Sequence, residues 1–145
     1  MVGAGVWLGL NWVREPVQVF GGMMVLDYFS SFFTLLLCVA TVLVMLGSYG
    51  YLESSEIHFS EFYPLLMSST LGMMLLSSAT ELLSIFIALE LMSLTVYVLV
   101  GMRRSNAFSN EASIKYFVMG GVAAAVYLYG TALIYGALKI GRAHV

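Results

Sequence analysis

Charged residues are scarce in this sequence. Asp, Glu, Lys and Arg make up 10% of its 145 residues, whereas a soluble globular domain averages about 25%. Hydrophobic residues make up 61% of the chain, and the mean hydropathy is +0.95. This composition excludes an ordinary soluble domain and is typical of a chain that crosses a membrane several times.

Cysteine, histidine and basic residues are also few. Cys38 is the single cysteine and cannot form an internal disulfide. His58 and His144 are far apart and have no neighbours at ligand spacing, so we expect no metal site. The formal net charge is −2 and no basic stripe is present, which argues against a nucleic-acid partner.

Long apolar runs fill most of the chain and are separated by short polar connectors. Each is close to the roughly 20 residues that an α-helix needs to cross the hydrocarbon core of a bilayer. The predicted spans are 28–52, 62–78, 82–102 and 111–138. Because short connectors make consecutive helices antiparallel neighbours, the sequence predicts an all-α transmembrane bundle with about four complete spanning helices.

The connectors supply three further expectations. Residues 14–22 should form a loop, since they contain Pro16 and a Gly-Gly pair. Thr80 is the expected N-cap of the third span. Arg103 and Arg104 lie in one loop with Lys115 just beyond it, and this positive cluster predicts a cytoplasmic position for that loop.

The two ends of the sequence lie outside the predicted complete spans. Residues 1–12 are apolar but too short to span, so they read as the end of a spanning helix or as an interfacial segment carrying Trp7 and Trp12. Residues 139–145 resemble the translation of a common sequencing adapter, and the natural chain is expected to continue past Leu138. Residues 1–138 are therefore interpreted as a partial membrane domain.

Glu90 is the one charged residue within the apolar run from Leu82 to Met102. The predicted span 82–102 contains twelve Leu, Ile, Phe and Val residues. The favourable free energy of inserting these side chains into a membrane exceeds the roughly 2.5–3.5 kcal/mol that one central ionisable residue costs. Ionisable groups at this depth usually serve ion or proton pathways, so we predict that Glu90 handles a proton. The competing interpretation is a structural Glu that pairs with another helix.

Ser93 and Tyr97 follow Glu90 at positions i+3 and i+7, on the same face of the predicted helix. They are expected to hydrogen-bond Glu90 or to hold water beside it. Phe86, Ile87 and Leu94 flank this face and are expected to keep it dry.

Glu111 and Lys115 begin the fourth predicted span at i,i+4 spacing, with Glu first, which is the favourable orientation. Two roles remain open for Lys115. It is either a positive-inside anchor at the membrane surface or a cation that faces the bundle and takes part in proton transfer.

The run from Glu81 to Tyr135 resembles the subunit N family of bacterial NADH-quinone oxidoreductase, or respiratory complex I. The resemblance rests on ELLSIFIALELMSLTVYVLVGMRR, NEASIKYF and LYGTALIYG, with GMMVLDYFSSFF and EFYPLLM before them. It implies an antiporter-like membrane-arm subunit of fourteen helices that moves protons, of which this chain holds about helices three to six. The essential Glu of that family falls on Glu90, and the Lys of its EASIKY motif falls on Lys115.

The resemblance also implies what lies elsewhere. The Lys expected to partner Glu90 belongs to a helix with no counterpart in this sequence. NAD, FMN, iron–sulfur clusters and quinone belong to other subunits, so this chain should carry no cofactor or redox site. The implied partners are other membrane-arm subunits, the lipid bilayer and protons. The implied location is a bacterial inner (plasma) membrane, favoured over an organelle.

Two alternatives to this function remain. One is a membrane subunit of a multisubunit cation/proton antiporter or a membrane-bound hydrogenase, which share the helix pattern and the Glu. The other is a passive membrane scaffold, in which Glu90 only fixes helix packing.

Overall fold

The computed structural model of the protein describes residues 15–54 and 59–138. Its helices are α1 (Tyr28–Ser54), α2 (Phe59–Ser78), α3 (Leu82–Val100) and α4 (Ala107–Leu138). A two-stranded antiparallel hairpin, β1 (Val17–Val19) and β2 (Met24–Leu26), precedes them. The predicted all-α membrane architecture is confirmed. The expectations for residues 1–12, His58 and 139–145 lie outside the described residues.

The four helices lie side by side in chain order. α2 packs on α1, α3 on α2 and α4 on α3. Of the described helices, α1, α3 and α4 are long and apolar enough to cross a membrane. α2 has 20 residues but is more polar, and its Ser69 and Thr70 are buried. A helix between two others can carry such side chains because they face protein instead of lipid.

Gly72 sets the closest approach between α2 and α3. A Cβ at this position would lie 2.7 Å from the Met92 backbone nitrogen and 3.0 Å from the Ala88 carbonyl oxygen. The missing side chain lets the two backbones meet, as small residues do at helix crossings in membranes. This contact holds α3 by the face that carries Ala88 and Met92 and leaves the Glu90 face turned towards α4.

The start of α1 is fixed by a reciprocal cap. The Ser30 backbone N–H donates to Asp27 Oδ1 over 2.8 Å, and the Asp27 N–H donates to Ser30 Oγ over 2.9 Å. These two bonds satisfy N–H groups that the helix itself cannot pair. The carboxylate also suits the positive end of the helix dipole.

The hairpin corrects two expectations. Residues 17–26 form paired strands where a loop was predicted over 14–22, and the tight turn between them places Phe20, Gly21 and Gly22 at positive φ. Thr80 does not cap α3. Its hydroxyl donates to the Gly22 carbonyl oxygen, and its N–H donates to the Met23 carbonyl oxygen. Glu81 is the N-cap residue instead, without a side-chain cap bond.

α4 begins at Ala107, four residues before the predicted start of the fourth span. Asn106 explains the difference, because its Oδ1 accepts hydrogen bonds from the backbone N–H groups of Phe108 and Ser109. This is the geometry of a helix N-cap. Lys115 therefore lies about two turns inside α4, whereas the predicted start placed it about one turn inside.

Candidate functional site

Glu90 lies near the middle of α3, about 12 Å along the axis from Leu82 and about 15 Å from Val100 at 1.5 Å per residue. Its side chain is half-buried and lines a cavity of about 290 Å³ between α3 and α4. We call this cavity the Glu90 recess. The carboxyl group thus lies at a half-open recess between two helices, near the middle of a helix that is long and apolar enough to cross a membrane.

Ser93 and Tyr97 line the same recess, as their spacing from Glu90 predicts. Of the three residues expected to keep this face dry, Phe86 also lines the recess. Ile87 and Leu94 do not line it, and they are 54% and 49% exposed. The recess therefore combines a carboxyl group and hydroxyl groups with an aromatic wall.

Small residues of α4 make the room opposite Glu90. Gly120, Ala123 and Ala124 line the recess on that side. A cavity of about 290 Å³ exceeds the space that one water molecule needs, and its carboxyl and hydroxyl groups are the partners that a buried water requires. The recess can thus hold several water molecules against Glu90.

Aromatic rings line both ends of the recess. At the end nearer Val100, the Tyr97 ring makes an edge-to-face contact with Tyr116, with centroids 4.9 Å apart. At the end nearer Leu82, Phe86 stacks on Tyr127, with centroids 5.9 Å apart. Neither Tyr116 nor Tyr127 was predicted from the sequence to lie at the site. Their helical spacing from Gly120 is the signal that could have found them.

Lys115 and Glu111 form the predicted i,i+4 ion pair, with side chains 70% and 57% exposed. Neither residue lines the Glu90 recess. At 100° per residue they lie on the opposite side of α4 from Gly120 and Ser113, which contact α3. Lys115 therefore does not face Glu90.

The register between α3 and α4 gives the depth of Lys115. Ser113 Oγ donates to the Tyr97 carbonyl oxygen over 2.9 Å, and Gly120 lies against the Tyr97 ring. In this antiparallel pair Lys115 is about level with Leu99, which places it roughly 13 Å along the axis from Glu90. A direct Lys115–Glu90 contact is thus excluded in this arrangement.

Within residues 15–54 and 59–138, the ion pairs are Lys115–Glu111 and an exposed contact of 3.9 Å between Arg104 and Glu61. In this part of the chain Glu90 has no cationic partner. The same residues contain no group of three His, Cys, Asp or Glu side chains that could hold a metal ion.

Comparisons with known proteins identify the family. The family described as "NADH:quinone oxidoreductase/Mrp antiporter, TM" matches residues 79–140, which include Glu90, Lys115 and the whole recess. The chain is 49% identical over 118 residues to NADH-quinone oxidoreductase subunit N 2 of Koribacter versatilis, covering 81% of this chain and 24% of that protein. It is 43% identical over 136 residues to subunit N of Trichlorobacter lovleyi, covering 94% of this chain and 28% of that protein.

A solved structure supports the same relationship. One chain of respiratory complex I from Thermus thermophilus superposes on 94% of this chain with a TM-score of 0.75 and 37% sequence identity, and 29% of that chain is covered. The chain thus spans about a quarter of the length of the curated relatives it matches. It belongs to the family of antiporter-like membrane subunits represented by subunit N of NADH-quinone oxidoreductase.

Proposed function

We propose that this chain is part of a proton-translocating membrane-arm subunit of NADH-quinone oxidoreductase and that Glu90 takes up and releases the proton. The observation that carries the proposal is the position of Glu90: a half-buried carboxyl group at mid-helix, facing a cavity of about 290 Å³ that can hold water. Ionisable groups that face such a space inside a membrane are typical of proton pathways.

Ser93 and Tyr97 continue the polar lining from Glu90 towards the Val100 end of the recess. In the proposed path their hydroxyl groups hold the water that exchanges a proton with Glu90. A hydroxyl can donate and accept at once, which suits it to carry a proton between neighbours. The end nearer Val100 leads to the Arg103–Arg104 loop, which the positive-inside rule places in the cytoplasm.

Lys115 and Glu111 act, in this proposal, on the other side of α4. Their ion pair lies about level with Leu99, close to the same loop. From there they can pass protons to the groups that face α4 on that side in the complete protein. Direct exchange between Lys115 and Glu90 is not part of the proposal, because the two side chains lie on different sides of α4.

We place the complete protein in a bacterial inner (plasma) membrane, in contact with lipid and with other subunits of the membrane arm. The redox cofactors, namely NAD, FMN, iron–sulfur clusters and quinone, belong to other subunits, so this chain supplies proton transfer and no redox chemistry. The names of the relatives and the T. thermophilus structure support this assembly.

The test is a Glu90→Gln substitution in the complete subunit within its assembled complex, reconstituted into vesicles. Glutamine keeps the shape of the side chain and removes its titratable proton. We expect an assembled complex in which quinone-linked proton pumping is strongly reduced. Glu81→Gln is the matched control, because Glu81 is exposed at the start of the same helix. Unchanged pumping in Glu90→Gln would remove Glu90 from the mechanism and favour the passive scaffold.

A cation/proton antiporter subunit is the second candidate, because the matching family description names Mrp antiporters beside the quinone oxidoreductases. The identities of 40–49% to proteins named subunit N favour the first candidate. The two candidate functions differ in the energy source that drives proton movement. Proton movement that starts on addition of NADH and quinone supports the oxidoreductase, and movement driven by a sodium gradient alone supports the antiporter.

A further inference from the structure

The Glu90 recess is asymmetric along the membrane normal. Towards Val100 its lining carries three hydroxyl groups, from Ser93, Tyr97 and Tyr116. Towards Leu82 its lining consists of the Leu89 and Phe86 side chains and the Tyr127 ring. A water molecule inside a protein needs two to four polar partners, and only the first end provides them.

The Tyr127 hydroxyl does not offset this difference. It donates to the Leu82 carbonyl oxygen over 3.0 Å, in the first turn of α3. That bond turns the polar atom of Tyr127 away from Glu90 and leaves its ring in the recess wall. The same bond ties α4 to α3 and so fixes where the ring stands.

Phe86 and Tyr127 form a parallel pair across the helix interface. Their rings are tilted by only 20°, with centroids 5.9 Å apart. A stacked pair excludes water from the space between the rings, because their faces offer no strong hydrogen-bond partner. The pair lies between Glu90 and the end of the bundle that carries the hairpin and the turn at Thr80.

We propose that Phe86 and Tyr127 form an aromatic seal that excludes water from the Leu82 end of the recess. Glu90 then exchanges protons only through the Ser93–Tyr97 end. A carboxyl group open to both sides of a membrane would let protons run down their gradient. One-sided access prevents this leak, and the Tyr127–Leu82 hydrogen bond holds the seal in place. The inference rests on the proposed proton role of Glu90.

Passive proton conductance of vesicles that contain the complete assembled complex tests the seal. An imposed pH gradient is followed with a pH-sensitive dye, without NADH. For Tyr127→Ala we expect the proton conductance to rise about 2- to 10-fold. This is the change expected if the free-energy barrier to proton passage falls by the interaction energy of one aromatic pair. Tyr129→Ala is the matched control, because Tyr129 is on the same helix, is 69% exposed and does not line the recess. It should leave the conductance unchanged.

Two further variants distinguish the loss of the seal from a general packing defect. Tyr127→Phe keeps the ring but removes the bond to Leu82, so it should restore most of the seal. Phe86→Leu keeps apolar bulk without the stack and should raise the conductance, which gives a second test if Tyr127→Ala does not assemble. Quinone reductase activity reports assembly in each case.

The double variant Tyr127→Ala with Glu90→Gln identifies the route of the leak. If the leak passes through Glu90, the second substitution suppresses it. A leak that persists in the double variant overturns the proposal, and so does a conductance that Tyr127→Ala and Phe86→Leu leave unchanged. If only the seal proposal fails, Glu90→Gln on its own would still strongly reduce proton pumping. Failure of the proposed function would leave that pumping intact.

Discussion

The Tyr97 hydroxyl lies in the place where a side chain of Gly120 would begin. A Cβ built on Gly120 would stand 1.7 Å from the hydroxyl oxygen and 2.6 Å from the ring carbon that carries it. Tyr97 is 8% exposed, and its ring makes edge-to-face contacts with Tyr116 and Phe117, which precede Gly120 on α4. The absence of a side chain at Gly120 therefore lets the one buried tyrosine of α3 reach into the recess beside Glu90.

Gly120→Ala is predicted to disturb this contact strongly. The new methyl group would overlap the Tyr97 ring, and overpacking of this kind typically costs about 1–3 kcal/mol. We expect a lower free energy of unfolding for the complete protein in mixed micelles titrated with SDS. We also expect reduced proton pumping, because Tyr97 would be displaced from its position in the recess that Glu90 lines.

Gly121→Ala is the matched control, since a Cβ there would meet no atom within 4 Å. It should be neutral or slightly stabilising, because Ala favours the helix over Gly by roughly 0.5–1 kcal/mol. Equal effects of the two substitutions would show that the Tyr97–Gly120 contact does not control the packing of α4.

Thr41 and Thr70 join α1 to α2 through a buried hydrogen bond of 2.8 Å between their hydroxyl groups. Each hydroxyl also lies within hydrogen-bond distance of a carbonyl oxygen of its own helix, Leu37 for Thr41 and Leu66 for Thr70. Because each hydroxyl carries one hydrogen, the one that donates across the interface shares that hydrogen with its own carbonyl. Each single Val variant removes one hydroxyl together with its local bond and leaves the other hydroxyl its own carbonyl partner, so a double-mutant cycle subtracts the local contributions and isolates the bond between the helices. We predict a coupling of about 0.6 kcal/mol, the average for such bonds in membrane proteins. A coupling of zero would reduce this contact to packing alone.

The Asp27–Ser30 cap is predicted to stabilise the start of α1. Asp27→Ala removes the acceptor of the Ser30 N–H and should cost about 1 kcal/mol in the free energy of unfolding. Asp27→Asn keeps a side-chain oxygen in place and should lose much less. Hydrogen exchange at the Ser30 amide checks the local effect: its protection should fall in the Ala variant and persist in the Asn variant.

Residues that act within one helix could be predicted from the sequence. The spacing of Glu90, Ser93 and Tyr97 is enough to place them on one face, because it depends only on the helical repeat. The i,i+4 pair of Glu111 and Lys115 follows from the same repeat. The cost of a charge in an apolar run made Glu90 the first candidate without any knowledge of its neighbours.

Features that depend on a partner distant in sequence could not be predicted. Thr is a residue type that favours the N-cap position, but the Thr80 hydroxyl donates to the carbonyl oxygen of Gly22, 58 residues earlier. The Phe86–Tyr127 pair depends on the register of α4 against α3, which the Ser113 bond and the Gly120 contact set. The strands of the hairpin have three residues each, too few for their alternation to stand out from a loop.

Glu90 and Lys115 are predicted to contribute independently to proton pumping, because they lie far apart. In the measured rate of proton pumping, substitutions at the two sites should combine almost additively. Groups more than about 7–10 Å apart without shared partners usually couple by no more than about 0.3–0.5 kcal/mol, and these two lie roughly 13 Å apart along the axis, on different sides of α4.

The measurement is a double-mutant cycle of Glu90→Asp and Lys115→Arg, conservative changes that leave a measurable rate in all four proteins. Ser93→Ala combined with Glu90→Asp is the positive control, because both residues line one recess and should couple. A strong coupling of Lys115 to Glu90 would show that the side chains exchange protons through an arrangement of α4 other than the one described here.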